Sequence, residues 1–136
     1  MKAYLLDTSV LLAHYKDEAC AARVQSILDD DEAEVFIASL SITEFARRLL
    51  SLRAEASDAR NTALEYAGIA TQVVPVDTAV AVRAYELGAL CKTRLPLIDT
   101  LIAACAATVN AILVHQDHHF SGLPRELVLQ EELSRG

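Results

Sequence analysis

The chain has 136 residues, a length typical of one domain with a hydrophobic core, and we expect a single domain over residues 1–136. Apolar residues make up 53% of it, but no uninterrupted stretch reaches the roughly 18 residues of a membrane span, and the first residues lack the order of a signal peptide. A net charge of −7 disfavours general nucleic-acid binding, although carboxylates that hold divalent metals would be neutralised in the working protein. The three cysteines are dispersed and form no CxxC pair, so we expect a reducing, cytoplasmic location.

Short apolar strands alternate with amphipathic helices through the first half of the chain. The pattern predicts strands at 2–6 and 34–39, and helices at 9–15, 18–29, 41–53 and 57–70. The helix at 41–53 (SITEFARRLLSLR) shows the clearest periodicity, because its apolar residues recur at helical spacing. These residues are Ile42, Phe45, Leu49 and Leu52.

The same alternation continues to the end of the chain. It predicts strands at 72–76, 111–115 and 126–130, with a helix to about residue 92 that is capped by Asp77 and Thr78. Pro96 can open a further helix, since its missing N–H is harmless in a first turn. The expected buried side of that helix consists of Leu97, Ile98, Leu101, Ile102 and Cys105. The alternation indicates an α/β three-layer sandwich with a mainly parallel central sheet flanked by helices.

Four carboxylates, Asp7, Glu44, Asp99 and Asp117, lie where predicted strands end or helices begin. Each has a structural explanation by itself, as a helix cap, a partner of the helix dipole, a solvated helix residue or a turn residue. Ligand sites in parallel sheets form outside the carboxyl ends of the strands, so we expect the four to converge. Converging carboxylates repel one another unless a hard cation such as Mg²⁺ or Mn²⁺ lies between them. The sequence therefore predicts a divalent metal site.

Four segments, LLDTSVLL, ITEFARRL, LPLIDTLIAACA and ILVHQDHHF, carry these acids in order. Together they resemble a PIN domain, and most closely the VapC-type toxins of bacterial toxin–antitoxin pairs. The resemblance implies a catalytic quartet of Asp7, Glu44, Asp99 and Asp117, with Ser9 as a supporting hydroxyl. Mg²⁺, or alternatively Mn²⁺, would bind to Asp7, Asp99 and Asp117, with Glu44 reaching it directly or through water.

The resemblance also implies an activity and partners. The chain would be a metal-dependent endoribonuclease, the toxin of a type II toxin–antitoxin system, that cuts a tRNA or ribosomal RNA at few sites. It would form a homodimer and would be inhibited by a cognate antitoxin protein, with residues 39–70 the first place to seek that contact. The alternative is a PIN-like interaction domain without nuclease activity, although a degenerate site should have lost some of its acids.

The surroundings of the fourth acid depart from the family pattern. Many relatives have a hydroxyl two residues before it and an acid two residues after it, where this chain has His115 and His119. The departure leaves the occupancy of a second metal site open. The HQDHH segment also permits zinc, but no cysteine lies nearby and adjacent ligands on one strand rarely close a tetrahedral site. We expect His115, His118 and His119 to be surface or substrate-facing residues instead.

Four cations flank the predicted site in sequence, namely Arg47, Arg48, Lys92 and Arg94. They are candidates for phosphate contact, and a solvated helix face explains them equally well. Two other enzyme and signalling classes fit poorly. A phosphotransfer enzyme with Asp7 as nucleophile needs a second acid at position 9, but this residue is serine. A receiver domain needs an acidic pair after the first strand and a lysine after a late strand, and neither is present in the sequence.

Overall fold

The structure is a computed structural model that describes residues 2–135, so the two end residues of the predicted domain lie outside it. Five strands form one sheet. They are β1 (Lys2–Leu6), β2 (Ala33–Ala38), β3 (Gln72–Val74), β4 (Ile112–His115) and β5 (Gln130–Glu132). The helices are α1 (Thr8–Tyr15), α2 (Ala21–Leu28), α3 (Ser39–Ser51), α4 (Ala56–Ile69), α5 (Thr78–Leu90) and α6 (Leu97–Thr108). A 3₁₀ helix, His118–Gly122, follows β4 and was not predicted.

The sheet has the order β3-β2-β1-β4-β5, and every neighbouring pair of strands is parallel. Both β2 and β4 pair with β1, so the chain leaves β1 towards one side of the sheet and returns to the other. The change in direction opens a crevice at the carboxyl ends of β1 and β4. The predicted α/β sandwich is therefore confirmed, with Asp7 and Asp117 following the two strands that border this crevice.

Alternating side chains of the strands feed two separate cores. In β1, Leu5 packs on one face with residues of α5 and α6, while Tyr4 and Leu6 pack on the other with residues of α1 to α4. All three side chains are almost fully buried, which explains why the strand reads as a nearly continuous apolar run. The two cores fix the sheet between its helix layers, and with it the positions of the strand ends.

The alanine-rich segment of α6 packs tightly beneath the sheet. Ala103, Ala104 and Ala106 are completely buried, and α6 contacts both α5 and the central strands. Small side chains allow this close approach, which leaves little freedom for the helix to slide. The first turn of α6, which carries Asp99, is thereby held at the carboxyl edge of the sheet.

Two details of the sequence prediction were wrong. Leu97 and Ile98 are 73% and 40% exposed, because the first turn of α6 extends beyond the edge of the sheet. The last strand begins at Gln130 rather than at residue 126. Leu127 and Val128 still reach the core, but their amides bond to the Pro124 carbonyl in a turn and not to β4. None of the described helices has the length and apolarity to cross a bilayer.

Candidate active site

Asp7 directly follows β1 and caps α1. Its carboxylate Oδ2 accepts hydrogen bonds from the Ser9 amide at 3.2 Å and the Ser9 hydroxyl at 2.6 Å. The Ser9 oxygen in turn accepts a bond from the Gln116 amide at 3.2 Å, which links the ends of β1 and β4. Asp7 is only 4% exposed, and burial raises the pKa of its carboxyl from 3.8 to about 6 even though the Ser9 bonds lower it.

Asp99 lies in the first turn of α6, with a side chain that is 19% exposed. Burial raises its pKa to about 7, and the negative charges of Asp7, Asp117 and Glu44 add to the effect. His119 acts in the opposite direction. The charges of the three other predicted acids thus act on Asp99 together.

Glu44 approaches from the second turn of α3 and completes the group. A cavity of about 130 Å³ is lined by all four predicted acids and by Ser9. Its other lining residues are Thr8, Leu12, Arg48 and Arg135. The structure thus brings together the four acids selected from the sequence, and Ser9 bonds to Asp7, the acid that it was expected to support.

His119 contributes a nitrogen donor that the sequence analysis did not include among the metal ligands. Its Nδ1 lies 3.1 Å from Oδ1 of Asp117 and 3.9 Å from Oδ2 of Asp99, and donor atoms of the three residues all lie within 4.8 Å of one another. Carboxylate oxygens with one imidazole nitrogen suit Mn²⁺ well and Mg²⁺ through the oxygens alone. The donor set therefore fits a divalent cation, and the HQDHH segment was the signal for it.

His115 is not a surface residue, which corrects the prediction made for it. The side chain is fully buried and packs on Phe120 with ring centroids 4.6 Å apart. Its Nδ1 accepts a bond from the Asp117 amide at 3.1 Å, and its Nε2 donates to Gln130 Oε1 at 3.0 Å. Burial lowers its pKa, which favours the neutral ring that this pattern requires. His115 supports the backbone of Asp117, while His118 and His119 are exposed as expected.

The predicted cations do not all reach the cavity. Arg48 lines it, and Arg47 lines an adjoining groove of about 560 Å³ between α3 and the first turn of α6. Lys92 and Arg94 do not line the cavity, and Arg94 borders a different groove between α5 and α6. Arg135, which sequence reasoning missed, lines the cavity from the segment after β5. Nothing in its local sequence marks it, because only the tertiary fold brings that segment to the site.

Comparisons with known proteins agree with this fold. The family model described as PIN domain matches residues 4–126. A chain of VapBC2 from Rickettsia felis bound to a promoter DNA fragment is similar, with a TM-score of 0.77 and 17% identity over 97% of this chain and 99% of the other. VapBC-1 from nontypeable Haemophilus influenzae has a TM-score of 0.73 and 14% identity, over 96% of this chain and 97% of the other. DNA-bound VapBC from Salmonella typhimurium has a TM-score of 0.68 and 19% identity, over 97% of this chain and 98% of the other. These identities support likeness of fold, and comparison with curated proteins gives no significant match.

Proposed function

The chain belongs to the PIN-domain family, and on this premise we propose that it is the toxin of a type II toxin–antitoxin pair and acts as a metal-dependent endoribonuclease. One observation carries the proposal. Asp7, Glu44, Asp99 and Asp117 come from four separate elements and line one small cavity at the switch point of the sheet. Partly buried acids with raised pKa values are typical of a site that functions with a cation.

We assign Mg²⁺, with Mn²⁺ as the alternative, to Asp7, Asp99 and Asp117, and His119 adds a nitrogen beside the last two. A divalent ion held there would supply a water of lowered pKa and offset the charge that develops on an RNA phosphate. Ser9 keeps the Asp7 carboxylate in one orientation through its two bonds. Glu44 faces the cavity from α3, where its carboxylate can accept a hydrogen bond from the attacking water. By family resemblance, the products would carry 5′-phosphate and 3′-hydroxyl ends.

The substrate of this activity should be a tRNA or ribosomal RNA that is cut at few sites. A chain with a net charge of −7 gains little from sequence-independent attraction to RNA, so its selectivity must come from a few local cations and the shape of one loop. Sequencing of RNA 5′ ends after brief expression should show a handful of new ends with the wild type and none with Asp7→Asn. Ends scattered across all transcripts would contradict the selectivity, and no new ends would contradict the activity.

The partner we propose is a cognate antitoxin that binds over α3 and α4, within residues 39–70. The groove beside the acids supports this position, since Leu40 of α3 and the exposed Ile98 give it an apolar lining next to Glu44. A peptide in this groove would lie at the mouth of the acidic cavity and could block it. The similar structures from Rickettsia felis and Haemophilus influenzae are of VapBC2 and VapBC-1.

We also propose a homodimer, and the exposed apolar residues of α5 and α6 support it. Val82, Tyr85, Leu90 and Leu97 are all more than half exposed, and Tyr85 reaches 79%. Light scattering at micromolar concentration should give twice the mass of one chain, and Tyr85→Lys should shift the protein towards monomer. Leu64→Lys is a matched control, because Leu64 is an exposed apolar residue on the opposite helix layer. A monomeric wild type would refute the dimer.

A further inference from the structure

A second cavity adjoins the acidic one and has the opposite charge. Its volume is about 240 Å³, and it shares Ser9, Leu12, Arg48 and Arg135 with the acidic cavity. The residues that line it and not the acidic cavity are Lys16, Glu18 and Gln116. The two cavities therefore adjoin, with the four carboxylates in one of them and with Arg48 and Arg135 where the two meet.

The cations of this second cavity differ in how far they are already neutralised. Lys16 forms an ion pair with Glu18 at 3.2 Å. Arg48 and Arg135 are exposed, and neither forms an ion pair with any carboxylate among residues 2–135. Acids outnumber cations by 19 to 12 in this chain, yet Arg48 and Arg135 place beside one cavity two positive charges without an ion-pair partner among the described residues.

Arg135 is also tied to the backbone of the acidic site. Its Nε donates to the Gln116 carbonyl at 3.2 Å, while the Gln116 amide donates to Ser9, whose hydroxyl holds Asp7. This chain of bonds fixes the base of the Arg135 guanidinium relative to the carboxylates and leaves its terminal N–H groups for a ligand. A planar guanidinium with two free donors matches two oxygens of a phosphate.

We propose that Arg48 and Arg135 form a subsite for the RNA phosphate next to the one that is cut. The inference rests on the proposed nuclease function, because the acidic cavity defines the position of the scissile phosphate. A single strand that places one phosphodiester at the carboxylates carries its neighbouring phosphate into the adjoining cavity. The subsite thus holds the strand in register, which a chain of net charge −7 cannot achieve by general attraction.

The first test measures binding without cleavage. A labelled single-stranded RNA of about ten nucleotides is titrated with Asp99→Asn protein in Ca²⁺, and then with the same protein carrying Arg135→Gln or Arg48→Gln. Each arginine variant should weaken binding about tenfold and reduce the slope of log K against log salt by about 0.7, the value for one phosphate on a single strand. Arg135→Lys should retain part of the affinity that Arg135→Gln loses. Lys16→Gln should weaken RNA binding less than either arginine variant, because Glu18 already pairs with Lys16.

Arg60→Gln is the matched control, since Arg60 is an exposed arginine on α4 that lines neither cavity. It should leave both affinity and salt slope unchanged. The second readout is the cleavage reaction of otherwise wild-type protein, in which Arg135→Gln should raise KM about tenfold with kcat little changed. Equal losses in Arg60→Gln and Arg135→Gln, or an unchanged salt slope in Arg135→Gln, would overturn the subsite. An inactive wild type whose Arg135→Gln variant still loses RNA affinity would refute the nuclease proposal alone.

Discussion

Asp99→Asn is expected to lower the rate of RNA cleavage by roughly three orders of magnitude or more without unfolding the protein. Asparagine has nearly the same shape as aspartate, but it removes the negative charge of Asp99, on which the charges of Asp7, Asp117 and Glu44 act. The substitution leaves the buried alanines of α6 untouched. Cleavage should be measured with both Mg²⁺ and Mn²⁺, and circular dichroism should confirm the helix content. Asp7→Asn should have the same effect.

Asp58→Asn is the matched control for this experiment. Asp58 also lies in the first turn of a helix, α4, but it is exposed and does not line the acidic cavity. Its replacement should leave the rate unchanged, which separates loss of the site from loss of a favourable helix-dipole contact. Undiminished cleavage by pure Asp99→Asn protein, or full wild-type activity in excess EDTA, would refute the proposed mechanism. A wild type that never cleaves RNA would favour the interaction-domain alternative.

The convergence of the acids could be predicted because it follows from local signals and one general rule. Asp7 ends the short continuous apolar run that is typical of a buried strand, and Asp99 lies three residues after Pro96, which marks a helix start. Once each acid is assigned to a strand end or a helix start, the geometry of parallel sheets brings them together. The rule requires no knowledge of which helix covers which face.

The features that could not be predicted depend on contacts between distant segments. Whether His115 faces solvent depends on Phe120 and Gln130, which the unpredicted 3₁₀ helix and the displaced strand β5 bring to it. Arg135 reaches the cavity for the same reason, since its position is set by the pairing of β5 with β4. Leu97 and Ile98 have the spacing of core residues, but the sheet ends before it can cover them. The spacing of apolar residues predicts a helix and its apolar side, but it does not predict how far the neighbouring sheet extends along that helix.

The gathered acids should also destabilise the protein when no metal is bound. In the unfolded chain the pKa of Asp7 and Asp99 is 3.8, whereas in the folded protein it is about 6 and about 7. The folded state therefore binds protons more tightly, so its stability falls as the pH rises through those folded values and recovers as the pH falls. For Asp7, the full penalty above its folded pKa is on the order of 3 kcal/mol. His115 acts in the opposite direction below about pH 6.5, because burial disfavours its charged form.

The informative comparison lies between about pH 8 and about pH 6.5, where the carboxylates dominate. In EDTA, the melting temperature of the wild type should be a few degrees higher at the lower pH, which corresponds to roughly 1 kcal/mol. Asp99→Asn should raise the melting temperature at about pH 8 and flatten the dependence on pH, while Asp58→Asn should follow the wild type. Mn²⁺ at about pH 8 should stabilise the wild type and not Asp99→Asn, since only the wild type retains the full set of proposed ligands. A wild type that becomes more stable with rising pH in EDTA would contradict the raised pKa values. An Asp99→Asn variant that melts lower would show that this carboxylate stabilises the fold, whereas its raised pKa indicates that the folded protein holds the ionised group at a cost in stability.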